Sequence, residues 1–175
     1  MSSAAKALAA ELDAEFPITR RVLERVPGDK LSWQPHGKSM SLAQLAHHVA
    51  AIPGSIARMA HIDGLDMATR PTGYAAGEST QAILATFDQS AAAMKAALME
   101  LDDARAGATW RMTFGEREIF AMPRINAMRI MCLNHVIHHR GELVVYLRLL
   151  DVPVPVVYGR SADENPFAQP AAAKA

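Results

Sequence analysis

The sequence predicts an all-α fold: a four-helix bundle with a short irregular or hairpin segment before the last helix. Three observations carry this expectation. Apolar residues recur every three or four positions through four separate stretches. Alanine, leucine and methionine are plentiful while runs of β-branched residues are few, which favours helix over strand. And 175 residues suffice for one domain with a sizeable core. We place that domain at residues 1–168, with 169–175 (QPAAAKA) as a loose tail.

The first helix is expected from about Ser3 to Val26, with Leu8, Leu12, Phe16 and Leu23 on its inner face and Gly28 as the stop. After the loop LSWQPHGKSM, Ser39 or Ser41 can cap a second helix. Its stripe is Leu42, Leu45, Val49, Ile52, Ile56 and Met59, and Pro53-Gly54 within it predicts a kink or break. Residues 64–77, rich in Gly, Thr and Pro, read as a loop. The third helix spans about Ser79 to Leu101, with Ile83, Phe87, Met94 and Leu98 inward. Residues 108–122 lose the helical period and place β-formers around a glycine, as a short hairpin would. Pro123 opens the fourth helix, which runs to about Leu150. The Pro-rich stretch that follows reads as extended chain packing back on the bundle.

Composition narrows the functions. Eighteen basic residues balance eighteen acidic ones, and no basic stripe stands out, so the electrostatic footprint of a nucleic-acid binder is missing. The N-terminal stretch MSSAAKALAAELDAEF has early acids and no continuous apolar run, unlike a signal peptide or a membrane span. A cytoplasmic protein without membrane association is the expectation. One cysteine, Cys132, cannot form an internal disulfide. No phosphate-binding, dinucleotide or nucleophile-elbow glycine motif is present.

The histidines are the distinctive feature. His135 and His139 in NHVIHHRGEL are one turn apart on one helix face, together with Met128, Cys132, Leu143 and Tyr146, so both rings should point inward. In the second helix, His48 borders the stripe of Leu45, Val49 and Ile52, whereas His47 falls on the opposite, outward side. Three inward imidazoles from two helices suit a divalent metal with an open coordination position. The spacing alone leaves hydrogen-bonded core histidines equally open. Glu142, three residues after His139, could orient a ligand ring, be a fourth ligand, or act as a general base. His36 and His61 read as surface residues, Cys132 as a small buried hydrophobe, and Trp33 and Trp110 as packing anchors. Asp163 and Glu164 are expected to make solvent or capping contacts.

The stretch LNHVIHHRGELVVYLRLLDVPVPVVYGRSADE, with LSWQPHGKSMSLAQLAHHVA before it, resembles the DinB/YfiT-like family of metalloenzymes, which is distinct from the DNA polymerase sharing that name. The resemblance implies a four-helix bundle holding a divalent ion, zinc or nickel, on three histidines that fall here on His48, His135 and His139. It also implies a homodimer. Family members often carry Gln where this chain has Glu142, which leaves a base role open at that position. Some relatives use low-molecular-weight thiols. Three functions are therefore expected in turn: a metal-dependent enzyme activating water or a small thiol for an unknown small-molecule substrate; a thiol S-transferase; or a non-catalytic metal- or ligand-binding protein.

Overall fold

The computed structural model describes residues 1–167. The expected domain end at 168 and the expected loose tail, 169–175, lie outside the described residues.

Helix α1 covers Ser3–Leu23, and the Ser2 hydroxyl caps it by accepting from the Ala5 amide at 3.1 Å. It stops short of the expected Val26. Pro27 disfavours a helical conformation at Val26, and Gly28 opens a short 3₁₀ turn instead of serving as the stop.

Helix α2 spans Leu42–Ala57. Ser41 is the cap, and Ser41 and Gln44 each satisfy the other's free amide. Of the kink or break expected at Pro53-Gly54, the break does not occur, since the helix runs through both residues. Pro53 leaves the Val49 carbonyl without its helical donor, but its ring is buried. Gly54 allows α3 to come close: a Cβ there would stand 2.9 Å from Ser90 Oγ. Helix α3, Thr80–Glu100, begins at a Ser79 cap, and a short α4, Asp103–Gly107, follows it.

The fourth long helix is composite. It comprises α5, Arg124–Met128, a π-helical segment, Arg129–Asn134, and α6, His135–Leu149. The ends agree with the sequence expectation, and the wide turn in the middle does not.

The fold is mostly helical, which corrects the all-α expectation. A three-stranded sheet is present: β1, Gly64–Asp66, β2, Thr109–Phe114, and β3, Arg117–Pro123, in the order β1-β2-β3. The hairpin between β2 and β3 occupies the segment where one was expected. Strand β1, parallel to β2, lies in the stretch read as loop. Gly64 permits this pairing, because a Cβ on it would come within 2.7 Å of the Arg111 carbonyl oxygen.

Helix α1 packs against α3 and α6, and α2 packs against the same two. Between them lies a core that includes Leu12, Leu45, Ile83, Met94, Leu98 and Leu143. Phe16 and Phe87 meet edge to face within it, ring centroids 5.5 Å apart. The segment after α6 packs back as expected. Val154 is buried, the Asp163 carboxylate accepts from Arg148 and from the Val154 amide, and Glu164 pairs with Arg21 and Arg25. The two acids thus anchor this segment by ion pairs. Among the described residues, no helix is long and apolar enough to cross a membrane.

Candidate metal centre

The capping box fixes where α2 begins, and from there the helical period decides which way each side chain points. Leu45, Val49 and Ile52 are buried, and His48 lies beside them, half-buried and facing α6. The Tyr146 hydroxyl donates to the Met40 carbonyl at 3.2 Å, which ties α6 to the entrance of α2. Trp33 packs edge-on against the same tyrosine.

His48, His135 and His139 come together across this contact. His135 Nε2 is 2.9 Å from His139 Nε2 and 3.3 Å from His48 Nε2. One donor nitrogen from each ring lies within 4.8 Å of the others, close enough for the three to hold one metal ion. Around a tetrahedral zinc with Zn–N bonds of about 2.0–2.1 Å, ligand nitrogens stand roughly 3.3 Å apart. The observed spacings fit that donor set.

The back of each α6 ring is held. Glu142 Oε2 is 2.6 Å from His139 Nδ1, and the backbone of Met131 hydrogen-bonds the His135 ring. Such contacts fix the ring orientation and leave the other nitrogen free to face inward. Met131 belongs to the π-helical segment, a type of wide turn that recurs at functional sites.

Electrostatics keep His48 and His135 available as lone-pair donors. Burial draws the His48 pKa from 6.5 down to about 4, helped by the neighbouring His139 and His135 rings. His135 is shifted in the same direction, again chiefly by burial, then by His139. Cys132 is buried, and its thiol is pushed up to about 12 by desolvation, so it remains a protonated hydrophobe as expected. His138 is exposed: its Nε2 is 3.3 Å from the other Glu142 oxygen, its ring lies 4.7 Å from that of His139, and the three residues form a second, more open group that could hold a metal ion. His36 and His61 are on the surface, as expected.

His47 departs from the expectation. It is half-buried and, with His48 and His135, lines a cleft of about 750 Å³. The segment between α2 and α3, which includes β1, folds over this side of the helix and covers what a bare helix would expose. Trp110 is fully buried, as a packing anchor should be, yet it also forms part of the cleft wall. Its indole N–H is the one buried side-chain polar atom without a hydrogen-bond partner among the described residues.

Sequence reasoning missed two buried arginines. Arg140 lies 1% exposed, 2.7 Å from the Glu15 carboxylate and 5.0 Å over the Tyr158 ring. Arg124 is fully buried, donating to the Met59, Ile62 and Arg105 carbonyls and to Asp63. A signal existed for Arg140, which occupies the buried stripe Val136, Leu143 and Leu147 at spacings of four, three and four.

A small helical fold with an imidazole cluster between its second and last helices is the class of protein these features define. The model of the DinB superfamily matches residues 11–143, and the chain belongs to that superfamily. Its structure is similar to the crystal structure of a DinB-like protein from Bacillus cereus ATCC 10987, with TM-score 0.67 at 22% identity over 87% of this chain and 97% of that one. It is also similar to a DinB-like protein from Bacillus subtilis, with TM-score 0.63 at 17% identity over 86% of this chain and 96% of that one. At such identities the likeness speaks for the fold. No curated protein matches the sequence at a significant level.

Proposed function

We propose that this DinB-superfamily protein is a metal-dependent enzyme whose His48, His135 and His139 hold one divalent ion, zinc or nickel. The observation that carries this reading is the convergence of the three imidazoles, two of which line a cleft with room for a substrate. Bound there, the ion would supply Lewis-acid activation of water or of a small thiol.

The chain's own residues prepare the site. Burial beside one another keeps His48 and His135 neutral at pH 7. Glu142 accepts the His139 Nδ1 proton and orients the ring, a more direct role than the general base weighed from sequence. Tyr74 packs against the His48 ring in a T-shaped contact, centroids 5.0 Å apart.

The reading is tested by turnover. Zinc-loaded and nickel-loaded protein should conjugate a small cellular thiol to an electrophile, or hydrolyse an activated ester, and His48→Ala should abolish the activity. Conjugation would make the protein a thiol S-transferase. Absence of turnover in a fully loaded protein would leave a non-catalytic metal binder.

The reading includes a homodimer. Val145 and Leu149, one turn apart on α6, are both more than half exposed, which suits a second copy. Sedimentation of a monomer at micromolar concentration would remove that element.

A further inference from the structure

The cleft beside the histidines has a charge pattern of one sign. Its wall is mostly apolar, with Ile52, Ile56, Met59 and Leu65 among its members, and among the described residues no Asp or Glu takes part. The cationic side chains on it are Arg58 and Arg70. Both are exposed, and neither has a carboxylate partner among the described residues, whereas most other arginines of the chain are paired. Among the described residues Arg58 makes only a long contact, 3.5 Å, to the Ser55 carbonyl oxygen.

The mouth is unusually apolar for solvent-facing surface. Ile62, Met67 and Tyr74 are each at least 40% exposed, and all three line this cleft. An apolar channel with a few placed polar groups is the usual form of a small-molecule site. Arg58 follows His48 by ten residues along the same helical path, a distance of about 15 Å. The cationic rim and the imidazoles therefore sit at separate places in one cleft.

We propose that the cleft selects an amphiphilic anion: an apolar body in the channel, with a carboxylate or phosphate head held by Arg58 and Arg70. The other end of such a molecule reaches His48 and His135. Guanidinium groups suit both heads, since their planar donors match the oxygens of either. This deepens the metal-centre reading and rests on it for the reacting end, while anion selection itself requires only the arginines and the apolar wall.

The test is calorimetric binding of octanoate, octyl phosphate and octanamide to the purified protein and to the Arg58→Gln/Arg70→Gln double variant. Each titration is run before and after metal removal with a chelator, and the metal content of each sample is measured separately. At least one anion should bind the parent about tenfold more tightly than the amide, and the better anion tells carboxylate from phosphate. The double variant should lose that preference, keep its affinity for octanamide and keep its metal. Equal affinity for anion and amide, no binding of any probe, or a preference that survives in the double variant would overturn the proposal. A preference that depends on the arginines in a protein unable to take up metal would support anion selection and sink the metal centre, so the two failures are separable.

Discussion

The carboxylate of Glu142 stands 2.6 Å from Nδ1 of His139, behind the ring whose Nε2 faces His135. Ligand-orienting contacts of this kind change metal affinity by about 10–100-fold when removed. Glu142→Ala should weaken zinc binding by that factor, measured by competition with a chromophoric chelator. Glu142→Gln should retain most of the affinity and most of the turnover, because an amide oxygen still accepts from Nδ1–H. Loss of turnover in Glu142→Gln with metal content intact would instead make Glu142 the general base.

Acid should act on the metal-free protein through His48. Its folded pKa of about 4 lies below the ordinary 6.5, so the unfolded chain takes up the proton first as pH falls. The stability contribution is complete above pH 6.5 and is lost as pH drops through about 4. Denaturant unfolding of the chelated protein from pH 7.5 to 4 should show a falling midpoint, with a shallower fall in His48→Ala. Parallel curves for the two proteins would contradict the buried, neutral assignment.

Arg140 should dominate the stability of the contact between α6 and α1. Its guanidinium is 1% exposed, and the Glu15 side chain it pairs with is 16% exposed. Removing one partner of a buried ion pair costs about 3–5 kcal/mol. For a chain of this size that is a fall in Tm of roughly 10 °C, from about 2–4 °C per kcal/mol. Arg140→Met should show it in a thermal melt, and adding Glu15→Met should restore part of the loss. A melt unchanged in Arg140→Met would show the pair to be energetically idle.

Strand β1 should depend on the absence of a side chain at Gly64. A Cβ there collides with the backbone oxygen of Arg111, which cannot yield without moving β2. Gly64→Ala should cost about 1–3 kcal/mol, the usual range for overpacking. It should also loosen the cleft wall around Leu65 and Met67, read as faster amide exchange in residues 64–69. Unaltered stability and exchange would mean the two strands have room to part.

Sequence period made the long helices readable, because burial of one face imposes spacings of three and four that loops lack. The same period put His135 and His139 on one face and His48 beside a buried stripe. Proximity of His48 to the other two is a tertiary fact, which spacing leaves open. Strand β1 carries only three residues, too few for an alternating pattern, and its partner lies more than forty positions away. The π-helical turn before His135 has no residue signature comparable to proline or glycine. His47 was misplaced because a helical wheel treats the side away from the core as solvent, and here the segment after α2 covers it. Arg140 was legible in principle, as the one charge in a stripe otherwise of Val and Leu.

Metal content decides the central claim. Protein purified without a histidine tag should be analysed for zinc and nickel beside His48→Ala and His139→Ala, each confirmed folded by circular dichroism. A three-histidine centre predicts close to one equivalent in the parent and little in either variant. Equal metal in all three, or none in the parent after reconstitution, would contradict it.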